Sequence, residues 1–189
     1  MNVAGFLGPE VEPVLQPARG HIVAVSSESP QRHALIMGVG NVLLGDDGVG
    51  VHAVRAMREV ATQYPHVRIL DAGTLGTTLL VEIEQAHHLI MIDAMRMNAR
   101  PGTLHCFEGA DMDRWLRREN AGSVHEVGLS ELLDLARLQE CLPTRRALIG
   151  IEPGTIGWGD QLSAELDGAL PVIEHHVREL LRRWNHVRA

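Results

Sequence analysis

Two adjacent aspartates, Asp46 and Asp47, stand in a turn punctuated by Gly38, Gly40, Gly45, Gly48 and Gly50. The apolar residues 34–37 just before it read as a buried strand, and an amphipathic helical pattern follows. A strand, a glycine-rich turn and a helix in that order open a βαβ unit, which commits the chain to an α/β arrangement. Glycines on both sides let the backbone bend sharply beside charged oxygens, as a binding site requires and a plain connector does not.

The rest of the chain keeps this rhythm. Val49, Ala53, Met57, Val60 and Tyr64 recur at helical spacing, and Pro65 closes the stripe. Residues 67–71 read as a short strand, 72–74 as a turn and 75–85 as a helical segment. Residues 87–93 are nearly continuous apolar sequence after two histidines, the pattern of a central strand covered on both faces, and they end on Asp93. In open sheets with helices on both faces, ligands gather beyond the carboxyl ends of the parallel strands, where Asp47 and Asp93 both fall.

Residues 98–102 are too few for a crossover helix, so the next strand, 103–108, is expected antiparallel to its neighbour. It ends at the wrong edge of the sheet, and residues 109–123, helical over 111–118, must carry the chain back. About fifteen residues at roughly 1.5 Å each cover a six-residue strand at roughly 3.3 Å each, which delivers His125 beside the carboxylates. Leu129, Leu132, Leu133 and Ala136 mark a further helix ending before Pro143. Residues 147–151 form the last core strand, 152–159 a glycine-rich loop, and Leu166, Leu170, Ile173, Val177, Leu180 and Trp184 the stripe of a C-terminal helix whose start is blurred by Pro171. Residues 1–33, with Pro9, Pro13, Pro17 and Pro30, read as a loosely ordered extension containing a short edge strand at 22–25; residues 34–189 read as a single domain.

Charge narrows the partners. A formal net charge of -7 argues against nucleic acid and anionic membrane surfaces, which call for a basic stripe, and leaves a protein, a metal or a small molecule. No apolar run is long enough to span a bilayer. Cys106 and Cys141 form neither a CxxC pair nor a disulfide framework, and the N-terminus lacks a basic region followed by an apolar core, so a cytoplasmic protein is expected. G-x-S-x-G, H-E-x-x-H and cysteine-nucleophile motifs are missing, so any hydrolysis has to run through a metal or the carboxylates.

Asp47, Asp93 and His125 make a two-carboxylate, one-imidazole set suited to a first-row divalent ion with positions left open. Each has a plainer role available. Asp46 or Asp47 can cap the following helix, Asp46 capping while Asp47 points outward. Asp93 can hold loop amides at its strand end. His125 is one of eleven histidines and competes with His52, His87, His88, His175 and His176. The Gly38-x-Gly40 start also suggests a dinucleotide site, but Leu43 replaces the third glycine and the two aspartates repel a pyrophosphate.

Several segments taken in order resemble one family: Gly38-Val39-Gly40-Asn41-Val42-Leu43-Leu44-Gly45-Asp46-Asp47-Gly48-Val49-Gly50, Asp71-Ala72-Gly73-Thr74, His88-Leu89-Ile90-Met91-Ile92-Asp93-Ala94, Pro101-Gly102-Thr103, Ser123-Val124-His125-Glu126-Val127-Gly128-Leu129 and Ile149-Gly150-Ile151-Glu152-Pro153. They are similar to the nickel-iron hydrogenase maturation endopeptidases. The resemblance implies a three-layer α/β/α fold with a five-stranded mixed, mostly parallel sheet in order 2-1-3-5-4, strand 4 antiparallel. It implies removal of a C-terminal extension from a hydrogenase large-subunit precursor after nickel insertion. Nickel held by the precursor is then expected to serve as the recognition signal, taking Asp47, Asp93 and His125 in its remaining positions. The family's metal-binding and catalytic residues fall on Asp47, Asp93 and His125. Glu126 occupies a variable position beside the histidine, and residues 1–33 have no counterpart in the typical short members. Two other classes fit the same residues: a nickel-binding or nickel-sensing module without proteolysis, and a nucleotide-binding α/β domain.

Overall fold

The structure, a computed structural model, describes residues 33–74, 76–117 and 124–186. The expected extension, edge strand at 22–25 included, lies outside the described residues except for His33.

Strand β1 (His33–Val39) leads through a 3-10 turn (Asp46–Gly48) into helices α1 (Val49–Ala56) and α2 (Arg58–Gln63). Strand β2 (Val67–Gly73), a second 3-10 turn (Thr77–Leu79) and helix α3 (Leu80–Glu84) precede the central strand β3 (Ala86–Ala94). Then come β4 (Leu104–Glu108), α4 (Ala110–Leu116), α5 (Val124–Leu138), β5 (Arg145–Ile151) and α6 (Ala164–His186). The sheet order is β2-β1-β3-β5-β4. Only β4 is antiparallel, with Leu104 opposite Ile151 and Glu108 opposite Ala147. The order and the reversed strand are those expected.

Alternation along the central strands divides the core in two. Ile36, Ile90, Ile92, Ala147 and Ile149 face α1 and α6, burying Val49, Ala53, Val54, Leu166, Ile173, Val177 and Leu180. Leu35, Met37, Leu89, Met91 and Leu148 face the opposite layer, with Ile83, Met112, Leu129, Leu132, Leu133 and Ala136 from α3, α4 and α5. Covering on both faces is the reason these strands read as unbroken apolar runs rather than as alternating ones.

Two helices depart from expectation. The first stripe is not one helix: at Met57 the backbone reaches φ -86° and ψ 21°, and α2 restarts with Val60 donating to the Met57 carbonyl at 2.9 Å. Met57 and Val60 stay buried across the break, so the apolar stripe survives it. Conversely, α6 runs straight through Pro171. A proline there forfeits one backbone bond, and the buried row from Leu166 to Trp184 holds the helix together across it.

The return path after β4 is pinned by charge. Asp113 of α4 accepts from Arg146 of β5 at 2.6 and 2.9 Å and from Arg137 of α5 at 3.0 Å. Burial pushes this carboxyl up, but the Arg146 hydrogen bonds and the neighbouring guanidinium charges outweigh that and hold it below its ordinary value. No helix among the described residues is long and apolar enough to cross a membrane.

Candidate active site

Close backbone approach builds the turn after β1. Gly40 has φ +128°, and a Cβ on it would lie 1.9 Å from the Asp47 carbonyl oxygen. A Cβ on Gly50 would lie 2.1 Å from the carbonyl oxygen of Ile92. Only glycine at position 50 lets the start of α1 rest on the end of β3, and the Asp46–Gly48 turn packs there as well. Asp47 is thereby set beside the strand that carries Asp93.

Neither aspartate caps its helix: Gly45 and Gly48 occupy the capping positions, and no side-chain cap bond is made there. Asp46 instead reaches across the chain. Its carboxylate, 1 % exposed, accepts from the amides of Gly154 and Thr155 at 2.9 Å, from the Ser163 amide at 2.7 Å and from Ser163 Oγ at 3.0 Å. Burial alone pushes this carboxyl up; the bonds from Ser163, Thr155 and Gly154 together overcome it and hold Asp46 below the usual carboxylate value. Asp47 does not point out to solvent. It is 5 % exposed, and its Oδ2 accepts the Asn41 amide at 2.9 Å.

Asp93 is fully buried, next to last in β3 and paired in register with Gly150. It follows Leu89 and Met91 at two-residue spacing, so it belongs to the face covered by α3, α4 and α5. His125 is the second residue of α5; its side chain lies outside the described residues. The helix itself can be oriented. The segment after α5, Glu140 to Thr144, lines a cavity of about 680 Å³ together with Ala86 and His87 at the amino end of β3. At roughly 1.5 Å per residue, α5 therefore starts about 22 Å away, toward the carboxyl edge of the sheet and in the layer that Asp93 faces. Topology thus gathers Asp47, Asp93 and the start of His125's helix at one edge. His87 and His88 lie at the opposite edge, and His175 and His176 sit on α6. Among the described residues no group of three or more His, Cys, Asp or Glu side chains could hold a metal ion.

Glu152 was not singled out by sequence reasoning. It is buried, and its Oε2 accepts the amides of Met97 at 2.6 Å and Ala99 at 3.1 Å, fixing the loop that leaves Asp93. A glutamate placed directly after an apolar strand and before Pro153-Gly154 is the signal that could have flagged it. Both cysteines, Cys106 and Cys141, are half-buried. Burial first, then the Glu108 charge, push the Cys106 thiol up to about 11, so it carries almost no thiolate at neutral pH.

A family model described as hydrogenase maturation protease matches residues 51–179, about two thirds of the chain. The chain belongs to the hydrogenase maturation protease family. The matched segment includes Asp93 and His125 and begins four residues after Asp47. Among relatives, the hydrogenase expression/formation protein HupD of Rhodobacter capsulatus is 36 % identical over 157 residues, covering 82 % of this chain and 73 % of its own length. The hydrogenase 2 maturation protease of Escherichia coli K12 is 32 % identical over 151 residues, 77 % of this chain and 90 % of its own. The structure of the hydrogenase maturating endopeptidase HybD from E. coli superposes with a TM-score of 0.72 at 28 % identity, covering 80 % of this chain and 93 % of that one. Membership makes this hydrogenase maturation protease an endopeptidase.

Proposed function

We propose that this protease removes the C-terminal extension of a nickel-iron hydrogenase large-subunit precursor after nickel insertion, and that Asp47, Asp93 and His125 receive the nickel the precursor carries. The observation that supports this reading most directly is the placement of two buried carboxylates, Asp47 and Asp93, from separate elements at the sheet edge toward which α5 begins. Two carboxylates and an imidazole suit a divalent first-row ion whose other positions are filled by its carrier. Nickel is then part of the substrate rather than a resident cofactor. Coordination separates loaded from empty precursor and holds the scissile peptide beside the carboxylates, where one of them can take the proton of an attacking water. We read residues 34–189 as the single domain that does this, working in the cytoplasm without nucleic acid or membrane.

His125→Ala and Asp93→Asn are expected to abolish tail removal from nickel-loaded precursor, read as mass loss by mass spectrometry, while His125→Ala melts as the parent protein does. Normal trimming by His125→Ala would overturn the assignment. Nickel-free precursor is expected to stay uncut by the parent protein.

A further inference from the structure

Leu43, Ile156 and Trp158 are 55 %, 40 % and 90 % exposed. One exposed apolar residue needs no explanation, but these three lie on two loops tied to each other and to the active-site turn. The Gly159 amide donates to Leu43 O at 3.1 Å, and the Gly45 amide donates to Gly159 O at 2.8 Å. The Leu44 carbonyl is shared by the amides of Gly157 at 3.3 Å and Asp47 at 3.4 Å. Trp158 therefore stands between two anchored glycines, and the Asp46 carboxylate ties down the same loop at Gly154 and Thr155. The backbone that carries Trp158 is anchored on both sides while its indole stands in water, so a partner that buries the indole has no loop to order first. Tryptophan is also among the residue types that carry most binding energy at interfaces.

We propose that Leu43, Ile156 and Trp158 form an apolar ledge that grips the precursor's own polypeptide beside the scissile bond, through an apolar side chain of that segment. The ledge is continuous with the site, because the oxygen that receives the Asp47 amide also receives the amide next to Trp158. This inference rests on the proposed placement of the cut at Asp47, Asp93 and His125. It adds an element of recognition that does not depend on nickel.

The test uses the full-length protease, nickel-loaded precursor and the triple variant Leu43→Ser, Ile156→Ser, Trp158→Ala. The variant is expected to raise KM on the order of thirtyfold, the loss of a buried interface anchor, with kcat within about twofold, as loss of uniform binding does. Its melting temperature should match the parent's, and Trp158→Phe in the parent should restore most of the affinity lost by Trp158→Ala. In the parent, precursor should shield tryptophan fluorescence from acrylamide, and the shielding should vanish in Trp158→Phe. An unchanged KM overturns the ledge, as does a parent dimer that the triple variant dissociates, since the patch would then be covered by a second copy. If Asp93→Asn cleaves normally while the triple variant raises KM, the placement of the cut falls and the ledge stands as a docking surface. If Asp93→Asn is inactive and the triple variant is unaffected, the ledge alone falls.

Discussion

Asp46 and Asp47 are adjacent in sequence and opposite in what they hold. Asp47 bonds within its own turn, at Asn41, whereas Asp46 spends its carboxylate on Gly154, Thr155 and Ser163. Asp46→Asn puts an amide NH2 against those donors and should cost about 1–3 kcal/mol of stability. Because the folded carboxyl is held below its ordinary value, its stabilisation is complete above the unfolded value of about 3.9 and is lost as the pH falls through the lower folded one. Parent and Asp46→Asn should therefore differ in urea unfolding at pH 7 and converge as the solution is acidified below about pH 4. The placing of the aspartate pair in a glycine-bracketed turn between a strand and a helix was legible in the sequence; how the two carboxylates divide their bonds was not. Asp46's partners stand more than a hundred positions away, and nothing local distinguishes a helix cap from a carboxylate serving a distant loop. Glu152 escaped for the same reason, its amides lying at Met97 and Ala99.

Among elements, the sheet was the most readable part. The link at 95–103 holds no crossover helix, so β4 runs backward, and the unbroken apolar run of β3 marked it as central. Boundaries inside helices were less readable, because buried packing preserved the stripe through the break at Met57 and through Pro171 alike. The contact between α1 and β3 carries its own prediction. Gly50→Ala places a methyl 2.1 Å from a backbone oxygen of β3, which cannot swing aside as a side chain would. It should cost about 2–4 kcal/mol and lower kcat, since the turn holding Asp47 is displaced from Asp93; circular dichroism melts and the processing assay measure the two effects separately.

On the scale of the whole molecule, the edge of the sheet gathers residues from the beginning, middle and end of the chain. The mixed sheet places β1 and β3 side by side, the reversed β4 sends the chain back to α5, and the loop after β5 closes onto the first turn. Acidic residues predominate, as the formal charge of -7 records, yet the ledge beside the turn is apolar, which suits a polypeptide substrate better than a polyanion. The bond between Asp46 and Ser163 ties the first turn to the residue that leads into α6. During synthesis the turn bearing Asp47 emerges early and has to wait for that partner. A chain terminated before Ser163 should stay inactive and protease-sensitive at residues 41–48, as limited proteolysis of stalled or truncated chains would show. The clasp thus ties the fixing of the first turn to the synthesis of a residue more than a hundred positions later.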